Sequence, residues 1–323
     1  MSDANVDGPR PSREVSESAA PSLWGSLDDF SRDLWMRSVL NKYIVRSTPT
    51  KSLFHYTSPE AFWKMLDGGN IWLTNAAYLN DQEELTYPVR LANEILQEIH
   101  AAETNERVQA FLFQVSQSLV THVAFKSWYI ASFSTDGNLL SQWRAYCKTG
   151  GYSLGFNGRS LSELLSGPAF YAFSSVVYDE NDQTAGIRGV IQRYVSAWHE
   201  LREKYPTMES MQFNTRLALE LLLALTEQLI FIKKLAFHEE QEWRVAKYRA
   251  GSDDLSFRER NGTLVPYLVA DLRISGRLPL KEIYVSPLGE QELAHHSALE
   301  ALRAKKYDDP EKLIREPGYR LRF

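Results

Sequence analysis

The sequence predicts an α+β domain built on a mixed or antiparallel sheet. Short β-forming runs occur near both ends of the region from 49 to 323, and helical periodicity fills its middle. There is no internal repeat and no regular alternation of strand and helix, which argues against a doubly wound parallel sheet. The 323 residues are 44% hydrophobic and 12% aromatic, enough apolar side chain to bury a sizeable core.

Taken in order, residues 1–22 hold five Ser, three Pro and six charges. That leaves too little apolar surface to offset ordering entropy, so a disordered tail is expected, with no signal peptide in it. Residues 23–48 read as an N-terminal helix: Ser26 and Asp29 form a capping pattern, and Leu27, Phe30, Leu34, Trp35 and Leu40 recur near helical spacing. Thr48-Pro49 ends it. Residues 49–323 are then expected to form a single domain.

Within that domain Leu53-Phe54-His55-Tyr56 is a strand, and Thr57-Ser58-Pro59-Glu60 caps a helix over Ala61 to Leu66. Asp67-Gly68-Gly69-Asn70 turns the chain into a strand at Ile71 to Thr74. Val89 to Val120 is mostly helical, with a break near Glu103-Thr104-Asn105. Trp128 to Ser134 is rich in β-formers and stops at Asp136-Gly137. A helical turn with Leu140, Trp143 and Tyr146, a strand at Tyr152 to Phe156, a short helix near Leu161 to Leu165 and a strand from Phe170 to Tyr178 follow. Helices are expected at Thr184 to Lys204 and Glu209 to Lys234, so that about 184–234 forms a large helical insertion. Strands at Glu242 to Arg249, Leu264 to Ala270, Ile283 to Ser286 and Tyr319 to Phe323, with a helix at Glu290 to Lys305, complete the domain.

Composition narrows the function classes. Thirty-six basic against 41 acidic residues give a net charge of −5, which argues against a whole-surface grip on nucleic acid. One Cys makes no intramolecular disulfide and points to a cytoplasmic setting; Cys147 reads as a small buried residue. The apolar run from Leu217 to Ile232 is broken by Glu220, Thr226, Glu227 and Gln228, so no membrane span is expected. Phosphate loops, zinc-protease helices, nucleophile elbows and dinucleotide fingerprints are absent from the sequence.

Four segments carry candidate chemistry. In Glu240-Gln241-Glu242-Trp243-Arg244, extended geometry from Gln241 onward sets Glu240, Glu242 and Arg244 on one face. Two carboxylates there are either used or neutralised by the Arg in an edge-strand salt cluster. His55 ends an apolar strand just before a capped helix, where ligand groups or structural histidines both occur. Ser132 and Ser134 alternate along a strand, with Trp143, Arg144 and Tyr146 beyond them as pocket or packing groups. Asn80-Asp81 with Glu84 forms a polar turn.

These blocks, with Gly151-Tyr152-Ser153-Leu154-Gly155-Phe156 and Ile283-Tyr284-Val285-Ser286-Pro287, resemble the bacterial domain-of-unknown-function family 2971 over about residues 50–323. Their order is also distantly similar to the ADP-ribosyltransferase superfamily, which binds NAD in the cleft of a split, largely antiparallel sheet. That resemblance implies a split mixed or antiparallel sheet with NAD as substrate and no metal. It makes Glu242 the catalytic carboxylate, with Glu240 orienting or deprotonating the acceptor. His55 binds ribose, and Tyr56, Thr57, Ser132, Ser134, Trp143 and Tyr146 surround the nicotinamide side. The acceptor, a protein or a nucleic acid, is left open. The sequence departs from the superfamily in carrying His where arginine-directed transferases usually carry Arg.

Three functions are therefore expected in order: an ADP-ribosyltransferase or NAD glycohydrolase of toxin or phage-defence type; a metal-dependent nuclease or nucleotide-processing enzyme using His55, Asp81, Glu84, Glu240 and Glu242; and a non-enzymatic ligand-sensing module whose long helices meet a partner.

Overall fold

The computed structural model describes residues 29–30, 49–79, 83–121, 123–165, 171–249, 251, 254–260 and 262–315. The expected tail, most of the N-terminal helix and the Tyr319–Phe323 strand lie outside them. Residues 42–323 group as one compact unit.

Local chemistry sets the first elements. β1 (Ser52–Thr57) leads into helix α1 (Pro59–Gly68) through Ser58, whose Oγ accepts from the Ala61 N–H. Pro59 starts the helix and Gly69, left-handed at φ 64°, ends it. β2 (Asn70–Asn75) follows at once. Helices α2 (Glu83–Ala102) and α3 (Glu106–Val120) are separated at the expected break by Asn105, whose side chain caps α3. Then come β3 (Trp128–Ser134), α4 (Leu140–Tyr146), β4 (Tyr152–Asn157), α5 (Gly158–Leu165) and β5 (Tyr171–Ser175). The long helices α6 (Glu180–Lys204) and α7 (Ser210–Leu229) precede β6 (Glu242–Tyr248), β7 (Ser256–Arg260), β8 (Thr263–Asp271) and β9 (Leu280–Val285). The described chain closes with α8 (Gln291–Ala304), the single turn α9 (Pro310–Leu313) and β10 (Ile314–Arg315).

The ten strands of the described residues join one sheet in the order β10-β9-β4-β1-β3-β2-β8-β7, with β6 on the far edge of β3 and β5 beyond it. Only the β10–β9 pair is parallel among the described strands. The α+β class with a mixed sheet is therefore what the chain adopts. The sheet splits at β3. One edge of β3 takes β1 at Phe54–Ser134 and β2 at Thr74–Ile130 and Asn75–Tyr129, while the other pairs along its full length with β6. Residues 131–133 thus face the gap between β1 and β2.

Strand alternation then divides the side chains. One face carries Leu53, Leu73, Phe133, Leu154, Phe173, Val245 and Ile283 into a single core with Phe62 and Met65 of α1, Leu161 of α5 and Leu302 of α8. On the other, Trp128 donates its indole N–H to Thr226 of α7 at 3.1 Å. Helices α2, α3, α6 and α7 pack on one another there.

Some boundaries differ from expectation. The second long helix stops at Leu229 rather than Lys234, because Phe231 and Lys233 exchange backbone hydrogen bonds with Val177. Those same bonds end β5 at Ser175 instead of Tyr178. β7 is a strand that the apolar pattern does not predict.

Candidate functional site

On the sheet face opposite the α1, α5 and α8 core, five charged side chains meet almost out of water. Glu242 and Arg244 are two positions apart on β6 and so share a face. Arg244 grips Glu242 through Nε at 2.7 Å and Nη2 at 3.0 Å, and also donates to Glu84 at 2.7 Å and to the Ile230 carbonyl at 2.6 Å. Lys233 contacts Glu240 at 2.7 Å, Glu242 at 3.3 Å and Glu84 at 3.4 Å. The side chains of Lys233, Arg244 and Glu242 are 5%, 2% and 6% exposed. Three carboxylates against two cations leave the cluster at 2 − 3 = −1. Charges this deep persist only because each is paired and hydrogen-bonded.

Each element delivers its group for a local reason. Glu84 lies in the acidic first turn of α2. Lys233 follows the apolar end of α7, held by its backbone pairing with Val177. Glu240 ends a 3₁₀ turn, Leu235–Glu240, and Gln241 takes a left-handed φ of 41° before β6 begins. This corrects the extended reading of 240–244: Glu240 reaches the cluster from a turn, not from the strand face it was expected to share. β6 also lies between β3 and β5, so its salt cluster is central and not at an edge.

The two β6-side carboxylates differ electrostatically. Burial alone would raise Glu242, but Arg244 and Lys233, with a hydrogen bond from Ser132, hold its carboxyl well below the usual range. Glu240 is pushed up by burial despite its bond to Lys233. Lys233 and Arg244 are held charged: burial opposes this, and Glu242 and Glu84 overcome it. Tyr178 accepts from the Glu242 N–H at 3.0 Å, and its phenol is pushed up first by burial and then by Glu242.

The expected site residues divide into two groups. Glu240, Glu242, Ser132, Ser134 and Tyr146 come together. Ser134 Oγ donates to the Glu240 carbonyl at 2.8 Å and accepts from the Asp136 N–H at 3.1 Å, so it fixes the turn that carries Glu240. Tyr146 keeps 42% of its surface exposed, yet its phenol is pushed up by burial and by the charges of Glu242 and Glu84. It borders the charged cluster and meets solvent.

His55, Tyr56, Thr57 and Trp143 are placed elsewhere. His55 shares the opposite face with Phe133, 5.7 Å away between ring centroids, and its Nδ1 donates to the Ser132 carbonyl at 2.9 Å, filling the gap between β1 and β2. Burial is the largest cause of its lowered pKa. Tyr56 donates to the Asp136 carbonyl at 2.7 Å and accepts from the Leu139 N–H at 2.8 Å. It packs edge-on against fully buried Trp143, whose Nε1 donates to Asn138 at 3.0 Å. Thr57 is buried and its carbonyl accepts from Cys147 Sγ at 3.4 Å. Cys147 is buried as expected, and burial pushes its thiol up to about 12. Asp81 lies outside the described residues.

Sequence reading missed Lys233 and Tyr178. The signal for Lys233 was a lysine pair directly after the apolar run Leu229-Ile230-Phe231-Ile232.

One comparison bears on this region. Residues 142–245 match the model of a family described as protein of unknown function (DUF2971). The DUF2971 match runs from α4 to β6 and so contains Trp143, Tyr146, Lys233, Glu240, Glu242 and Arg244, but not Glu84 or His55. No curated protein and no solved structure matches the chain. Among the described residues no helix is long and apolar enough to cross a membrane.

Proposed function

We propose that the chain is a cytoplasmic enzyme that consumes NAD, breaking the bond between nicotinamide and the C1 carbon of its ribose and joining that carbon to water or to an acceptor nucleophile, as a glycohydrolase or ADP-ribosyltransferase of toxin or phage-defence type. The observation that carries this reading is a pair of carboxylates on one lysine whose proton affinities are driven apart, Glu242 down and Glu240 up. Environments that separate two such groups assign them different tasks.

The chemistry follows. As the glycosidic bond breaks, its electron pair leaves with nicotinamide and positive charge builds on the ribose. An ionised Glu242 in a cluster of net −1 stabilises that charge more than it stabilises the ground state. Glu240, with its raised proton affinity, accepts the proton of the attacking water or acceptor. The partly exposed Tyr146 ring offers a surface for the nicotinamide to stack on. A divalent ion is disfavoured here because each of the three carboxylates is already paired with Lys233 or Arg244.

The test is nicotinamide release from NAD by the purified protein, with and without candidate acceptors. Turnover is expected, with a loss on the order of 100-fold in Glu242→Gln and in Tyr146→Ala. Tyr146→Ala removes no member of the ion cluster, so its loss cannot be traced to unfolding of the network. If the wild-type protein releases no nicotinamide, the reading falls.

The tight neutralisation of Glu242 also favours a second reading, a non-enzymatic module in which the cluster only locks helices to sheet. In that case NAD is untouched and every cluster substitution acts through stability alone.

A further inference from the structure

The wing of the sheet formed by β2, β8 and β7 carries a cation with no counter-ion among the described residues. Arg258 lies on the same face of β7 as Arg260, two positions on, while Glu259 between them points the other way and accepts from the Gly262 N–H. Arg258 Nη2 donates to Thr74 Oγ1 at 2.7 Å, and its guanidinium lies 5.6 Å from the centre of the Trp72 ring. Trp72 in turn stacks on Tyr267 at 4.7 Å and 28°. Nε of Arg258 is buried without a hydrogen-bond partner, and Nη1 has none among the described residues. No carboxylate among the described residues forms a salt bridge with it.

The neighbours do not supply the missing charge. Arg260 donates to the Tyr78 carbonyl and adds positive potential, and the two effects that lower the Arg258 pKa are burial and then Arg260. His55, across the gap between β1 and β2, has its pKa lowered by burial, with Arg258 contributing. Asp271, at the far end of β8, is already claimed by Arg273 at 2.5 Å. A half-buried guanidinium with donors left over costs folding free energy that a bound anion returns. Thr74 accepts from Arg258 through its oxygen, so its own O–H remains to be donated to the same ligand.

We propose that Arg258 and Thr74, backed by Trp72, form a binding site for the phosphate group of a small ligand. The guanidinium supplies forked donors that match phosphate oxygens, and the Thr74 hydroxyl adds a donor from a second direction. The site is separate from the Glu242 cluster and does not depend on the NAD reading, because it requires binding only.

The test is thermal-shift and calorimetric titration of the full-length protein with inorganic pyrophosphate, ADP and citrate. Pyrophosphate is expected to raise the melting temperature, and Arg258→Gln to weaken its binding on the order of tenfold or more. Arg258→Lys, which keeps the charge and loses the fork, should fall between them and serves if Arg258→Gln does not fold. ADP tighter than pyrophosphate marks a nucleotide ligand, and equal binding marks a free phosphate group; both support the site. No shift with either phosphate compound, an unchanged affinity in Arg258→Gln or Arg258→Lys, or citrate as effective as pyrophosphate would overturn it.

Discussion

Glu242 and Glu240 respond to pH in opposite directions, and the signs follow from their surroundings. Glu242 is held below the ordinary value of 4.5 by Arg244 and Lys233 against the opposing effect of burial, so its stabilisation is fully present above that value and is lost as pH falls through the lowered folded one. Glu240 is raised above 4.5 by burial, so its protonated form favours the fold on the acid side, and that contribution is lost as pH rises through its folded value. Below pH 4.5 the Glu242 effect therefore governs the cluster. Urea midpoints measured at pH 4.5 and 3.5 should fall towards acid in the wild-type protein, with a shallower fall in Glu242→Gln. Equal slopes in the two proteins would place the acid sensitivity outside the cluster. At this scale the Glu242–Arg244 pair was legible in the sequence, since a spacing of two on a strand fixes a shared face. Glu84 was grouped with Glu240 and Glu242 only as a metal ligand; its pairing with Arg244, across 160 positions, is set by the packing of α2.

Among the elements, those with strong local signals were read closely. α3 begins after Asn105 at the expected break, and α1 has a Ser58 cap, a leading Pro59 and a closing Gly69. The failures arise where backbone pairing with another segment overrode local preference. Helical propensity continues past Leu229, but hydrogen bonds to Val177 straighten the chain there and carry Lys233 into the cluster. β7 reads Ser-Phe-Arg-Glu-Arg, too polar to announce a strand, and exists because it lies along β8 at the sheet's edge. The start of α6 also depends on a single residue. Asp179 Oδ1 accepts from the N–H groups of Asn181 at 2.9 Å and Asp182 at 3.0 Å, on the positive end of a 25-residue helix. Asp179→Ala should cost about 1 kcal/mol in chemical denaturation, and Asp179→Asn should recover most of it. A cost near zero for Asp179→Ala would mean that tertiary contacts alone hold the helix start.

For the whole molecule, a fully satisfied buried amide adds to the links between the helical layer and the sheet. Gln183 of α6 has no exposure. Its Nε2 donates to the carbonyls of Val177 at 2.8 Å and Lys233 at 2.9 Å, and its Oε1 accepts from the Tyr87 hydroxyl of α2 at 2.7 Å. One side chain thus links α2, α6, the exit of β5 and the segment that presents Lys233 to the three carboxylates. The cluster's geometry is therefore set by the helical layer as much as by β6, which explains why a strand motif alone could not define the site. Gln183→Leu keeps the bulk but removes three hydrogen bonds, leaving the Val177 carbonyl with the Lys233 N–H alone, a loss of about 2–4 kcal/mol. Hydrogen exchange should quicken first at Val177, whose N–H donates to the Phe231 carbonyl, and at Lys233, whose N–H donates to the Val177 carbonyl, while the β1–β4–β9 wing stays protected. If exchange quickens equally across the sheet, the amide is a general stability contact. If it is confined to Val177 and the 230–233 segment, the helical layer holds Lys233 in register, and nicotinamide release should drop in Gln183→Leu at temperatures where the fold is intact.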